Sequence, residues 1–148
     1  MRHRDLPTDT RFALAGIGLL RDLGRNALAR LARDSDLLDL RAGTVIDRAA
    51  SRARQFVGIV EGYVRATTPD GHELVLGPGD HVGAAELLDD RPHTMSHTCQ
   101  TNVTVVVTFG PAFRAVAAAA PALTAAARVD AARRLQAASR PAALLLTR

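Results

Sequence analysis

Residues 37–109 are divided into short runs with a period of two, and turn-forming residues separate these runs. Gly43 and Gly62 fall inside the first two runs, Pro69-Asp70-Gly71 has the composition of a tight hairpin turn, and Asn102 separates the last two. The runs are LLDLRAGTVID, QFVGIVEGYVRATT, HELVL, HTMSHTCQT and VTVVVTF. Many short strands at such close spacing predict an antiparallel barrel or sandwich.

Helical patterns flank this β-rich segment on both sides. Residues 19–33, LLRDLGRNALARLAR, place leucines on one face and charged residues on the other. Gly24 and Asn26 are expected to divide this segment into two short helices, with Asn26 as the cap. Pro111 is expected near the first turn of a later helix, and Pro121 at the start of the longer helix PALTAAARVDAARRLQAAS.

The pattern predicts one domain with short extensions. We expect an N-terminal extension over residues 1–18, a domain over 19–140, and a tail over 141–148 that begins after the helix ends near Pro141. The barrel would occupy about 37–109 and the C-terminal helices about 110–140. A chain of 148 residues that is 47% hydrophobic can bury a core, and 3% aromatic residues predict an aliphatic one.

Composition excludes several classes of protein. All 19 basic residues are arginine, and the net charge of +4 is scattered along the chain, which indicates a solvated surface and makes direct nucleic-acid binding an unexpected function. The single cysteine, Cys99, excludes an intrachain disulfide framework, agrees with a reducing cytosol, and is expected to be a buried inert thiol.

The N-terminus and the hydropathy pattern predict a cytoplasmic protein without a membrane association. Asp5 and Asp9 interrupt the basic N-terminal residues, and no small-residue cleavage site follows the apolar run. No run approaches the roughly 18 apolar residues of a membrane helix. The serines lie in no nucleophile elbow, and Gly77-Pro78-Gly79 joins two strands instead of opening a long helix. We therefore expect no enzymatic activity.

The order of these elements resembles the cyclic nucleotide-binding domain family, which includes the catabolite activator protein, the regulatory subunit of protein kinase A and gated channels. The resemblance rests on RAGTVI, FVGIVEGYVRATTPDGHELVLGPGDHVGAAELL and TVVVTFGPAFRAVAAAAPAL, and covers about residues 19–135. It implies a mainly β fold with flanking helices, a double-stranded β-helix (jelly-roll) barrel with an N-terminal helical segment and two C-terminal helices. Because only residues 141–148 follow the long helix, we expect a sensor module without its own DNA-binding domain.

The resemblance also implies a phosphate-binding cassette, read in the family as Gly-Glu-apolar, a short helix, and Pro-Arg-Ser/Thr/Ala. Backbone N–H groups of the short helix face the cyclic phosphate, the Arg binds its exocyclic oxygens, and the Glu accepts from the ribose 2′-hydroxyl. In this sequence Ala84 stands at the glutamate and His93 at the arginine. The remaining positions fit the cassette and are Gly83, Ala85, Leu87, Leu88, Pro92 and Thr94.

The two replaced residues should weaken the binding of a cyclic nucleotide such as cyclic AMP. A hydrogen bond to a charged group contributes about 1.5–3 kcal/mol, so losing both should cost about two to four decades in affinity. Glu86 and Arg91 are candidates to compensate, or are solvent-facing charges. His93 offers a pH-dependent anion contact, or is a hydrogen-bonded strand histidine. No cofactor is expected to be required.

A metal site is a further alternative. His93 and His97 are four residues apart in a predicted strand and hence on one face, and with His81 they could form a site inside a barrel, as in cupins. The closely spaced histidines and glutamate characteristic of a cupin are missing, so our main prediction includes no metal.

The long last helix offers a partner surface. Its thin apolar stripe either forms a homodimer seam over residues 121–140 or lies on its own barrel. The stripe consists of Leu123, Ala126 or Ala127, Val129 or Asp130, Ala132 and Leu135. In a dimer, Arg128, Arg133 and Arg134 would flank the seam, and any output would pass through a protein partner of unknown identity.

Three hypotheses follow for function. The first is a regulatory ligand-sensing module that binds cyclic AMP weakly or binds another small anion, favoured if Arg91 and Glu86 point into the cavity. The second is a ligand-free scaffold that acts through protein contact or dimerisation, favoured if His93, Met95 or Arg65 fills the cavity. The third is the cupin-like metal site, favoured if the three histidines converge.

Overall fold

The computed structural model describes residues 2–4 and 7–139, with side chains from residue 9 to residue 138. The helices are α1 (Pro7–Ala15), a 3-10 turn (Gly18–Leu20), α2 (Arg25–Arg33), α3 (Ala84–Leu88), α4 (Gly110–Ala118) and α5 (Pro121–Ser139). The strands are β1 (Arg2–Arg4), β2 (Ser35–Leu40), β3 (Val45–Asp47), β4 (Gln55–Glu61), β5 (Val64–Thr67), β6 (Glu73–Leu76), β7 (His81–Val82), β8 (Ser96–Cys99) and β9 (Val103–Phe109).

The strands form two antiparallel sheets, in the orders β1-β2-β9-β4-β7 and β3-β8-β5-β6. The predicted mainly β architecture with flanking helices is confirmed. The two sheets do not join into a closed barrel over the residues that the structure describes, because their hydrogen-bonded ladders remain separate. The sheets share an aliphatic core that includes Ile59 and Val105 from the first sheet and Val64 and Cys99 from the second.

A second core cluster lies between the helices and the first sheet. Phe56 of β4 stacks on Phe113 of α4 with ring centroids 4.4 Å apart, and both side chains are fully buried. Leu14 and Ile17, which precede the predicted domain start at residue 19, are buried in the same cluster. Helix α1 thus packs on α2 and on the first sheet, through β2 and β9, while the division at residue 18 stays a prediction.

Two details of the helical segments differ from expectation. Gly24, in extended backbone, is the N-cap of α2, whereas Asn26 lies within the helix. Glycine is tolerated at this position because its carbonyl still accepts the first helical hydrogen bond, here from Leu28 N–H at 3.1 Å. The predicted starts at Pro111 and Pro121 are confirmed. The predicted helix end at Pro141 and the tail lie outside the described residues.

The predicted strand over residues 93–101 is shorter than expected, since β8 begins at Ser96. His93 instead donates its N–H to Ser51 O at 2.9 Å and accepts from Ala50 N–H at 2.8 Å, in a local pairing with the turn after β3. His93 and His97 are therefore not on one face of a strand, contrary to the sequence prediction. The turns predicted at Gly43 and Gly62 are confirmed, with φ of +89° and +88°.

Among the described residues, no single helix is long and apolar enough to cross a bilayer. Helices α4 and α5 reach the necessary length and apolar composition only when they are taken together, and the two helices are bent by 117° relative to each other.

Candidate functional site

The predicted cassette forms a glycine turn followed by a one-and-a-half-turn helix. Gly83 has φ +83° and caps α3, and its carbonyl accepts the Leu87 N–H at 3.0 Å. A methyl group on Gly83 would lie 3.1 Å from Cε1 of His93, so the turn and the histidine are in close contact. Glycine is needed here because the left-handed backbone disfavours a Cβ and the space beside it is occupied.

The cassette positions differ in whether they face inward. Ala84, Ala85 and Leu87 are buried. Glu86 and Thr94 line a small cavity, together with backbone and side chains from neighbouring segments. Arg91 is exposed and its guanidinium lies 3.9 Å from Asp89. The lining is Gly83, Ala84, Ala85, Glu86, Thr94, Met95, His81, His97, Ala127, Ala131 and Arg134.

The cavity beside the cassette is small because a side chain of α5 occupies it. Its volume of 20 Å³ is enough for about one water molecule. The Arg134 guanidinium enters it and donates to the backbone carbonyl of His81, with Nη2 3.5 Å from His81 Nδ1. Of His93, Met95 and Arg65, which would favour a ligand-free scaffold if they filled the cavity, Met95 lines it. The guanidinium that enters it belongs to Arg134. Arg65 lies instead beside Glu73, at 3.9 Å, and is exposed.

Burial lowers the pKa values of two basic side chains beside the cavity, Arg134 and His81. Burial lowers the pKa of Arg134, while Asp80, Asp130 and Glu86 act in the opposite direction, and the guanidinium stays charged at neutral pH. Burial, followed by the charges of Arg134 and His97, lowers the pKa of His81 well below its usual range. His81 is therefore neutral near pH 7 and stacks on Phe56 with centroids 5.9 Å apart.

Helix α5 is fastened to the cassette at a second point. The guanidinium of Arg128 contacts Asp89, the residue that ends α3, with Nη2–Oδ1 at 2.6 Å. This hydrogen bond lowers the pKa of Asp89, against a smaller opposing effect of burial. Arg128 and Arg134 thus make contacts within their own chain, while the predicted dimer seam stays a prediction.

Only part of the predicted apolar stripe of α5 faces its own domain. Leu123 and Ala127 are buried in the core, whereas Ala126, Val129 and Ala132 face outward. The predicted stripe therefore mixed two faces. The inward face alone continues to Arg134, one turn beyond Ala131, which is why this arginine reaches the cassette.

Beside the cassette, the carboxylate of Asp47 contacts both His93 and His97, the two histidines that the sequence predicted to lie on one face. Asp47 Oδ1 lies 2.5 Å from His97 Nδ1, and Oδ2 lies 3.5 Å from His93 Nε2. His81 is not part of this group among the described residues, so the predicted three-histidine cluster is corrected to two histidines and Asp47. Sequence reasoning missed Asp47 because it is 46 residues from His93 and ends an unremarkable short strand.

Replacing Gly83 with alanine should destabilise the fold more than the same change at Gly71. Both residues have φ near +90°, at +83° and +93°, but a methyl at Gly71 meets nothing within 4 Å, whereas at Gly83 it meets His93. The left-handed backbone alone costs about 1–2 kcal/mol for alanine. Denaturant unfolding of both variants should give this loss for Gly71→Ala and a clearly larger one for Gly83→Ala. Equal losses would show that the contact with His93 carries no strain.

A family model described as the cyclic nucleotide-binding domain matches residues 37–120. This range covers more than half of the chain and contains both sheets' central strands, the cassette and α4. The chain belongs to the cyclic nucleotide-binding domain family, which consists of regulatory ligand-binding domains.

Individual relatives agree with this assignment. A cyclic nucleotide-gated potassium channel from Rhizobium etli is 30% identical over 108 residues, which are 73% of this chain and 30% of the channel. The regulatory subunit of a cAMP-independent protein kinase A from Trypanosoma brucei has a TM-score of 0.71 and 23% identity, over 83% of this chain and 48% of that chain. The regulatory domain of Toxoplasma gondii protein kinase A, solved with cAMP, has a TM-score of 0.74 and 14% identity, over 84% and 49%.

The two solved structures establish the same fold. The chain spans less than a third of the channel and about half of each kinase regulatory chain. The match therefore concerns one domain, and the activities of those larger proteins are not transferred with it.

Proposed function

We propose that this chain is a regulatory ligand-sensing module whose cradle is held closed by α5 and opens to a small anion, with cyclic AMP as the first candidate. The observation that carries this proposal is the guanidinium of Arg134 inside the cavity beside Gly83, bound to the His81 carbonyl. No catalytic step is proposed.

The closed cavity requires movement before a nucleotide can bind. A volume of 20 Å³ holds about one water molecule, and a cyclic nucleotide is many times larger. Arg134 and the neighbouring Ala131 and Ala127 form the α5 side of this cavity. A ligand at Gly83 would therefore displace this part of α5, and that displacement is the signal that a partner could detect.

The missing cassette side chains predict weak binding. Ala84 offers no acceptor for a ribose hydroxyl, and His93 is engaged with Asp47 at 3.5 Å instead of facing the cavity. Glu86 lines the cavity and remains the candidate to replace the glutamate, whereas Arg91 does not line it. We expect affinity about two to four decades below that of a complete cassette, before the cost of moving α5 is added.

The relatives support a ligand-binding role without fixing the ligand. One solved relative holds cAMP, and another is the regulatory subunit of a kinase described as cAMP-independent. A change of ligand or of affinity is thus compatible with this fold.

Calorimetric titration of the purified chain with cyclic AMP and cyclic GMP tests the proposal. We expect saturable binding in the high micromolar to millimolar range. Competition by inorganic phosphate would distinguish a general anion site from a nucleotide site. No heat with either nucleotide up to millimolar concentration would contradict the proposal.

That negative result would favour a second candidate function, a ligand-free scaffold acting through protein contact or dimerisation. The small cavity and the two arginine contacts that hold α5 in place support this alternative. In a scaffold, α5 would remain docked permanently and its outward face would be the functional surface.

In either case we propose a homodimer through the outward face of α5. Val129, 49% exposed, lies at the centre of this face next to Ala132. Val129→Glu should convert a dimer to a monomer in analytical ultracentrifugation, because two charges would meet at the seam. Val75→Glu, at a valine 51% exposed on β6, is the matched control and should leave the dimer intact. A wild-type chain that is monomeric at high concentration would contradict the dimer.

A further inference from the structure

Two histidines and one carboxylate meet in the interior beside the cavity that Arg134 occupies, and His97 lines that cavity as well. Asp47 comes from the end of β3, His97 from β8, and His93 from the segment between the cassette and β8. The side chains are 14%, 8% and 5% exposed, respectively. One potential ligand atom from each residue lies within 4.8 Å of the other two.

We propose that Asp47, His93 and His97 bind a divalent transition metal ion of the Zn²⁺ type. Imidazole nitrogen and carboxylate oxygen are the ligands that such ions prefer, and two histidines with one carboxylate form a common three-residue set that leaves coordination positions open. This inference does not require nucleotide binding, although His93 occupies a cassette position and His97 also lines the cavity beside Gly83.

The geometry is close to that of a bound ion. With metal–ligand bonds of about 2.0–2.1 Å, neighbouring ligand atoms in a tetrahedral site are about 3.3–3.5 Å apart. Asp47 Oδ2 and His93 Nε2 are already 3.5 Å apart, whereas Asp47 Oδ1 and His97 Nδ1, at 2.5 Å, share a hydrogen bond that the ion would replace. A separation of Asp47 and His97 larger by about an ångström would bring this second pair to the same spacing.

His93 carries the second observation that points to a ligand. Among the described side chains, its Nδ1 is the buried nitrogen that has no hydrogen-bond partner. The ring is therefore held only through its other nitrogen, at Asp47, although it is enclosed almost completely. Nε2 faces Asp47 Oδ2 at 3.5 Å, the outer limit of a hydrogen bond, so an ion bound between these two atoms would replace a weak contact with a strong one.

An ion can reach the group and complete its coordination with water. A cavity of 240 Å³ is lined by Asp47 and His93, with Ser51 and Gln55 as further polar residues. Arg52 and Arg54 also line this cavity, and the guanidinium of Arg52 is 3.3 Å from Asp90. The nearby positive charge opposes a cation, so we expect micromolar affinity instead of the tighter binding of a closed structural site.

The test uses the full chain, without a histidine tag, in metal-free buffer. Calorimetry with Zn²⁺ should show one saturable equivalent, and Co²⁺ should give the visible absorption of a low-symmetry site. Asp47→Asn and His97→Gln should each weaken Zn²⁺ binding by at least about 100-fold. Removing a residue that binds the ion should cost more affinity than removing a residue that only orients a ligand, which costs about 10–100-fold. His72→Gln should bind as wild type, although it removes an exposed histidine 3.1 Å from Asp70.

Thermal unfolding provides an independent readout. Zn²⁺ should raise the melting temperature of the wild type and of His72→Gln, but not that of Asp47→Asn or His97→Gln. Circular dichroism verifies that each variant is folded. If Asp47→Asn or His97→Gln does not fold, the His93→Gln variant is measured in its place. Unchanged Zn²⁺ affinity in the folded ligand variants, or no saturable binding below millimolar Zn²⁺, would overturn the proposal.

Discussion

Arg134→Ala should raise the affinity of the chain for cyclic AMP by about one to two decades. Arg134 donates from its charged guanidinium to the His81 carbonyl, and a hydrogen bond to a charged group contributes about 1.5–3 kcal/mol. If this contact stabilises only the closed state, its loss raises the fraction of open molecules, and the apparent affinity rises by the same factor. Calorimetric titration of variant and wild type measures this ratio directly.

Arg133→Ala is the matched control, because it removes the same charge one residue earlier on an exposed part of α5. The control separates the contact with His81 from the general loss of positive charge, and its affinity should equal that of the wild type. An equal increase in both variants would attribute the effect to net charge. A lower affinity in Arg134→Ala would show that this arginine binds the ligand instead of competing with it.

Phe113→Ala should lower the free energy of unfolding by about 3–5 kcal/mol, the typical cost of removing a buried phenylalanine. The ring is fully buried and stacks on Phe56 at 4.4 Å, and Phe56 in turn stacks on His81. The cavity left by this change lies among the helices that position the cassette.

Phe109→Ala is the control for this prediction. Phe109 is 64% exposed at the end of β9, and its truncation should change the free energy of unfolding by less than about 0.5 kcal/mol. Denaturant unfolding monitored by circular dichroism measures both variants. Losses of similar size would mean that Phe113 does not occupy the centre of the core.

The proposed mechanism links the cassette and α5 at two points. Arg128 contacts Asp89 at the end of α3, and Arg134 contacts His81 just before Gly83. A ligand that moves Arg134 would therefore act on a helix that is also bound to the end of the cassette. In this proposal the two contacts convert occupation of a small cavity into movement of a 19-residue helix.

The strand pattern was predictable because its signals are local. Gly43 and Gly62 adopt positive φ at the turns that the runs of apolar residues predicted, and Pro111 and Pro121 begin the helices where a missing N–H has no cost. The cassette glycine and the short helix after it were placed by resemblance, and Gly83 and α3 occupy these positions.

The contacts between distant segments were not predictable in the same way. Asp47 meets His93 and His97 across the sheet, and its sequence neighbourhood carries no mark of that role. His93 leaves the expected strand because it pairs with the turn at Ala50, whose φ of +68° no local pattern indicates. Arg134 could have been noticed, since it follows Ala127 and Ala131 on one helical face, but the alanine-rich sequence conceals which face is buried.

Hydrogen–deuterium exchange with and without saturating cyclic AMP tests the central claim most directly. If α5 closes the cradle and the ligand displaces it, amides of α5 around Arg134 should exchange faster with ligand, and amides of Gly83 to Leu87 should exchange more slowly. The Arg134→Ala variant should show the fast α5 exchange without ligand. Saturating ligand that leaves the exchange of α5 unchanged, or slows it, would contradict a cradle held closed by this helix.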